Sequence, residues 1–384
     1  MKKKYVVLSI ITLVLLITFL TSFNYFKTSN NYVEDSVNNQ TKITKGISMN
    51  LEQTAGAGDY KQVTQSNWPG DDYAFNAELS KCENGSTLSW DNTKNVVVFS
   101  GNVSDKCYVY FDIWIPPSIA VYCSSGTDLA TCVKNFGNQG PDISNIYIHN
   151  SSLDNGAGDN SYRYAGASAS VNNYICLGSD ATTCPDANLF RIIGVFGDKT
   201  KVIRAKSVGD QKWNTSSSNT WSSSSLNTYL NGTYLTSLGT IADKIATTTW
   251  KVGGGSWSKI GYPVPKTSYQ YEVGSSATST TIDAKIGLMY VSDYGFAADK
   301  SGWTTNLGSY NSNTSKNWLY LGSYEWTISR YNDVTDGAYV VNRTGYVDYN
   351  TVTDSNVARP SFNLLSSVKY VSGSGSMSDP VRVN

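Results

Sequence analysis

The sequence predicts an α+β protein made of an N-terminal transmembrane helix, a small all-β domain, and a larger mixed domain with long loops. Three observations carry that expectation. Lys2-Lys3-Lys4 precede an apolar run from Tyr5 to Leu20 that holds no charged residue. Short stretches of alternating apolar and polar residues recur between turn-forming clusters ahead of Pro116-Pro117. The C-terminal half then mixes β-rich segments with one stretch of helical spacing. The expected division is 1–26 signal anchor, 27–59 spacer, 60–115 small β-domain, 116–185 connector and 186–384 mixed domain.

At the N-terminus, a lysine cluster before an apolar run marks export. Leu20-Thr21-Ser22-Phe23 offers no small-x-small cleavage site, and no cysteine follows to take a lipid. Taken as a helix, Tyr5 to Phe26 would be about 33 Å long at about 1.5 Å per residue, against an apolar bilayer core of about 30 Å. The expectation is an uncleaved single-pass anchor at the cell membrane, with the C-terminal part extracellular. The membrane is thus an expected partner through that helix. Of the 384 residues only 16% are charged, with a formal net charge of +0, where about a quarter charged is usual. That balance excludes nucleic-acid binding by electrostatic attraction. Ser, Thr, Asn, Gly and the 27 tyrosines carry the polarity, as in secreted β-rich proteins.

The spacer is rich in Asn, Thr and Ser. In the small domain, Thr87-Leu88-Ser89-Trp90 and Val96-Val97-Val98-Phe99 flank Asp91-Asn92-Thr93-Lys94-Asn95 as a hairpin, and Cys107-Tyr108-Val109-Tyr110-Phe111-Asp112 closes the sheet. All six cysteines, Cys82, Cys107, Cys123, Cys132, Cys176 and Cys184, lie in the exported part. Disulfides fit an oxidising exterior. Sequence leaves their connectivity open, and nearest-neighbour pairing is the economical choice. In the connector, residues 153–164 space carboxylates and amides by glycines. Such oxygens could hold calcium, but the order is not that of an EF-hand and plain turns explain it as well, so no cofactor is expected. His149, the one histidine, reads as a surface or turn residue.

In the mixed domain, residues 189–196 and 201–205 form a hairpin. Residues 222–225 cap a helix carrying Leu226, Tyr229, Leu230, Tyr234 and Leu238. Residues 251–281 are a long Gly/Ser/Pro-rich loop, residues 285–291 a buried strand, and the chain ends in a hairpin. Between these lies the polar segment 331–356. Tyr339-Val340-Val341 and Tyr346-Val347-Asp348-Tyr349 flank Asn342-Arg343-Thr344-Gly345, a hairpin with glycine at a positive-φ position. Tyrosine and arginine give contact area and directional bonds at modest entropic cost, while Asn and Ser adapt. The candidate ligand-binding residues are therefore Trp326, Tyr331, Asn332, Asp333, Tyr339, Asn342, Arg343, Tyr346, Tyr349 and Asn350.

Phe190-Arg191-Ile192-Ile193-Gly194, Trp221 with Leu226-Asn227 and Leu230-Asn231, Gly287-Leu288-Met289-Tyr290-Val291-Ser292, the block 318–330, and Arg359-Pro360-Ser361-Phe362-Asn363-Leu364 occur in that order. This order resembles an uncharacterised family of exported Gram-positive bacterial domains, distantly similar to C-type-lectin-like and formylglycine-generating-enzyme-like domains. The resemblance implies a C-type-lectin-like mixed domain whose first and last strands pair. It also implies that 331–356 is similar to the variable binding faces that a reverse-transcriptase system diversifies in some such domains. The calcium motifs of sugar-binding C-type lectins are missing, since Trp213-Asn214-Thr215 lies in the wrong place, and no cysteine follows Cys184 for oxidase chemistry.

Gly253-Gly254-Gly255 lacks the Lys-Ser/Thr of a phosphate loop, and no Gly-x-Ser-x-Gly elbow is present. Asp293, Glu325, Asp333, Asp336 and Asp354 would serve a glycosidase only if two of them converged in a cleft. Trp303, Trp318 and Trp326 divide between sugar stacking and core. The expected function is a surface-exposed, adhesin-like ligand-binding protein with a protein or glycan partner. The alternatives are a surface enzyme acting on cell-wall polysaccharide, or a structural envelope protein.

Overall fold

The computed structural model describes residues 47–63, 69, 72–91, 94, 96–114 and 117–384, which fall into two compact units split at Pro116. The first unit is all β. Its strands are β1 (Ile47–Glu52), β2 (Tyr60–Val63), β3 (Tyr73–Phe75), β4 (Lys81–Cys82), β5 (Thr87–Asp91), β6 (Val96–Ser100) and β7 (Cys107–Ile113). β1 lies between β2 and β7 and runs parallel to β7, while β3 and β4 pair with β7. The spacer expected over 27–59 is thus corrected at its end. Ile47, Met49 and Leu51 alternate with Ser48 and Asn50, the period of a half-buried strand, and Met49 and Leu51 join Val97, Val109 and Phe111 in the core. Trp90 stacks on Phe75 and meets Phe111 edge-on, which seats the β5–β6 hairpin.

The second unit opens with the helix Leu129–Gly137, which buries Leu129, Cys132, Val133 and Phe136. Its strands begin with β8 (Ile146–Ile148), β9 (Tyr162–Tyr164), β10 (Tyr174–Cys176), β11 (Leu189–Phe196), β12 (Lys199–Arg204) and β13 (Asp210–Lys212). They continue with β14 (Thr248–Lys251), β15 (Thr281–Ala284), β16 (Ile286–Gly287), β17 (Glu325–Tyr331), β18 (Gly337–Val341) and β19 (Val347–Thr351). The last four are β20 (Ser355–Val357), β21 (Ser361–Asn363), β22 (Tyr370–Ser372) and β23 (Val381–Val383). A nine-stranded sheet has the order β16-β21-β12-β11-β10-β23-β22, with β9 on β11 and β8 on β9. A five-stranded sheet has the order β13-β20-β17-β18-β19. Gly194 sits at a bulge in β11, where a Cβ would stand 2.1 Å from the Tyr162 carbonyl oxygen, so only glycine lets β9 close on this strand.

Several expectations change here. The protein is mostly β-sheet with short helices, and not α+β. The helix expected from Leu226 onward does form, capped by Ser224 as expected, and it runs through Ser225–Tyr229, a π turn over Leu230–Tyr234, and Leu235–Ser237. The strand expected at 285–291 is two residues long and turns into the helix Val291–Phe296. Glu272 holds that helix start, accepting hydrogen bonds from the backbone N–H groups of Val291 and Ser292 at 2.8 Å each. The connector expected over 116–185 is part of the second unit, since β9 and β10 both pair with β11. The last strand β23 does meet the start of the unit, but its parallel partner is β10, which separates it from β11.

Among the described residues no helix is long and apolar enough to cross a membrane. The expected transmembrane helix falls in 1–26, outside the described residues, so the membrane-spanning fold and the single-pass membrane localisation are withdrawn. The disulfides are Cys82–Cys107, Cys123–Cys132 and Cys176–Cys184, the nearest-neighbour set. Cys82 and Cys107 face each other across β4 and β7.

Candidate functional site

The polar segment 331–356 does not lie on the surface as a block. β18 is buried along its whole length, so Tyr339, expected to touch ligand, is 0% exposed and donates its hydroxyl to the Gly255 carbonyl at 3.0 Å. Trp326 is buried on β17 and donates to the Gln211 carbonyl at 2.8 Å. Asn342 is buried too, its side-chain oxygen accepting from the Thr344 N–H and hydroxyl. Burial removes these three from any ligand contact. Arg343 is exposed and Tyr346 half-buried, but their turn packs toward Tyr320 and Thr314, with Gly345 at φ 94° as the hairpin requires. Asn350 is half-buried and bonds Asn356.

The remaining four, Tyr331, Asn332, Asp333 and Tyr349, do converge, and they do so on residues from the supposed long loop. Gly254 has φ 57°, and a Cβ there would lie 2.1 Å from the Arg330 carbonyl oxygen, so the glycine run can lie flat against the end of β17. The contact is fixed by Arg330 Nε and Asn332 Nδ2 donating to the Gly253 carbonyl at 2.9 and 3.0 Å, and by the Asn332 N–H donating to Gly255 at 3.0 Å. The chain leaving this loop carries Trp257, whose backbone N–H donates to Asp333 at 2.9 Å. Trp257 stacks over the buried Tyr339 ring at 6.4 Å and meets Tyr262 at 6.3 Å and Tyr349 at 6.4 Å. Tyr349 in turn lies 4.2 Å from Tyr331. Gly261 and Gly308 leave room for these rings: a Cβ on Gly261 would stand 2.4 Å from Trp257, and one on Gly308 2.8 Å from Tyr262.

The result is a patch of four rings at one end of the five-stranded sheet. Tyr262 is 45% and Tyr349 43% exposed, Trp257 is half-buried, and Tyr331 is buried against Tyr349. Asn332 and Asp333 stand exposed beside them. Burial, then the hydrogen bond and charge of Asp333, push the Tyr331 hydroxyl up to about 12, so it is a donor at neutral pH. Trp257 and Tyr262 escaped the sequence reading because their segment looked like featureless loop. The available signal was the Gly-Gly-Gly run itself, which marks a close backbone approach.

The other candidate chemistry resolves into structure. Asp293 is buried between Lys201 and Arg163, at 2.5 and 3.5 Å, and Glu325 is buried on Arg359 at 2.6 Å. Asp333 serves the Trp257 backbone, Asp354 is exposed and Asp336 half-buried, so the carboxylates named for a glycosidase are spread over separate tasks. In the 153–164 loop, Asp159 pairs with Arg163 at 2.8 Å, and Asn155 and Asn160 take the left-handed conformation of turns. Among the described residues no group of three or more His, Cys, Asp or Glu converges as a metal site. His149 is buried, contrary to its expected surface place. Its Nδ1 accepts from the Ala157 N–H at 3.0 Å and its ring meets Phe296 edge-on, and burial, helped by the Arg163 charge, holds it well below its ordinary range. Trp303 and Trp318 are core residues as well. Comparison with protein-family models, curated proteins and solved structures gives no match.

Proposed function

We propose that this protein is an adhesin-like ligand-binding module, and that Trp257, Tyr262 and Tyr349 with Asn332 and Asp333 form its contact surface, with the buried Tyr331 packed against Tyr349. The observation that carries the reading is the exposure of Tyr262 and Tyr349 on a rigidly seated ring cluster. Exposed rings held in fixed positions offer a ligand preformed apolar contact area at little entropic cost. The ligand class is a glycan. Three rings with one amide and one carboxylate make a patch far smaller than the roughly 800 Å² per partner that a stable protein interface needs. Rings cover the apolar faces of a sugar while Asn332 and Asp333 bond its hydroxyls. The net charge of +0 agrees with an uncharged partner. Three disulfides support this reading, since such bonds persist in oxidising surroundings.

The resemblance to exported Gram-positive domains is retained as part of this proposal. What supports it is that the motif blocks interlock. Arg191 donates to the Trp318 carbonyl, Arg359 pairs with Glu325, and Asn231 exchanges hydrogen bonds with Ile286 just ahead of Gly287. They make a framework that leaves the ring patch free to vary.

A printed array of neutral and acidic glycans tests the function. The wild-type protein should label a subset of neutral glycans, and Tyr262→Ala/Tyr349→Ala should lose at least tenfold in affinity with an unchanged melting temperature. Equal labelling by both proteins, or no labelling by the wild type, would remove the proposal.

A further inference from the structure

A cavity in the second unit lies apart from the binding surface. It measures about 170 Å³ and is lined in part by Lys201, Asn363, Asp293, Trp250, Tyr290 and Phe196. Lys201 on β12 stands directly opposite Asn363 on β21 in the antiparallel ladder. Directly opposed residues project from the same face with their Cβ atoms about 5 Å apart. The Lys201 ammonium reaches Asp293 Oδ2 at 2.5 Å, and the two side chains are 6% and 2% exposed. It also hangs over the rings of Tyr290 at 4.6 Å, Trp250 at 5.4 Å and Phe196 at 5.6 Å. Asn363 is buried and donates through Nδ2 to the Thr248 hydroxyl at 3.0 Å, while its side-chain oxygen Oδ1 has no hydrogen-bond partner among the described residues. An amine, a carboxylate and an amide with an unpartnered carbonyl thus share one aromatic-walled space.

We infer that Lys201 and Asn363 join in an intramolecular amide cross-link, with Asp293 as the proton carrier. The Asp293 carboxylate takes a proton from the Lys201 ammonium, leaving a neutral amine. Nζ attacks Cγ of Asn363, the Nζ–Cγ bond forms, and the Cγ–Nδ2 bond breaks. Protons pass from Nζ and from Asp293 to Nδ2, which departs as ammonium, and Asp293 ends as the carboxylate it began as. No oxidant, reductant or cofactor is consumed. Burial favours the neutral amine, pushing Lys201 below its ordinary range against the pull of Asp293. Arg163, 3.5 Å from the other Asp293 oxygen, holds that carboxylate in place. The surrounding rings keep water from competing for the amide carbon. The bond would tie β12 to β21 toward the β16 edge of the nine-stranded sheet, covalently closing a contact between residues distant in sequence.

Peptide mapping of the purified wild-type chain tests this without any variant. Trypsin should fail to cut after Lys201, and one branched peptide should contain both Lys201 and Asn363 at a mass lower by one ammonia than the sum of the two linear pieces. Lys201→Arg should release two linear peptides with no loss of mass, and Asp293→Asn should sharply reduce the branched product. Linear wild-type peptides carrying an unmodified Lys201 and an unmodified Asn363 would overturn the inference, as would an ammonia loss that maps to any other residue.

Discussion

Tyr339 and Tyr349 face each other across β18 and β19, yet one is core and the other surface. No composition argument separates them. The difference comes from the Gly253–Gly255 loop, which covers Tyr339 and stops short of Tyr349. Tyr339→Ala should therefore cost about 3–5 kcal/mol, the range for emptying a buried aromatic site, while Tyr349→Ala should cost under about 1 kcal/mol. Chemical denaturation of the two variants checks this, and similar losses for both would contradict the placement. Asp159 shows how a residue read as a turn or calcium ligand acts instead through its ion pair. Burial raises its carboxyl, but the Arg163 charge and the Ser161 hydrogen bonds outweigh this and hold it at about 2. Because the folded value is depressed, the contribution is present above the unfolded value near 3.8 and is lost as pH falls toward about 2. The stability gap between wild type and Asp159→Asn should shrink by about 2 kcal/mol across that window. A gap independent of pH there would show that the pair contributes nothing.

Among elements, hairpins were the most legible. Residues 87–100, 189–204, 339–349 and the C-terminal pair all form where turn chemistry and alternation agree. The misses have physical causes. β1 was hidden because its polar alternate residues resemble a spacer, and its worth is set by a parallel partner far along the chain, β7. The run from Ile286 to Val291 is apolar enough for a buried strand, but periodicity cannot separate that from a buried helix start, and Glu272 decides for the helix. The terminal pairing was right in kind and displaced by one strand, because β10 lies in what looked like a connector. β22 and β23 bring Tyr370 and Val381 into the core, with Val368 just ahead of them. Deleting residues 367–384 should thus destabilise the second unit by on the order of 5 kcal/mol, from lost apolar burial alone. Thermal unfolding followed by circular dichroism measures it, and an unchanged transition would mean the last strands are not part of the folded unit.

At the scale of the molecule, composition identified a β-rich, low-charge, disulfide-bearing protein but led to the wrong fold class. Helical spacing from Leu226 to Leu238 does form a helical run over 225–237 with a π turn inside it, but a single short helical run does not offset the two large sheets of the second unit. The candidate site was half visible. Asn332, Asp333 and Tyr349 are exposed and Tyr331 is buried against Tyr349, whereas Trp257 and Tyr262 join them only through a long-range contact that no local pattern announces. The most direct test of the account compares retention on immobilised neutral polysaccharide for wild type, Trp257→Ala/Tyr349→Ala, and Trp114→Ala. Trp114 supplies the control because it is 48% exposed yet belongs to the first unit. The account predicts that wild type and Trp114→Ala are retained alike while the double variant elutes with the void. Equal retention of all three, or loss with Trp114→Ala alone, would place binding elsewhere.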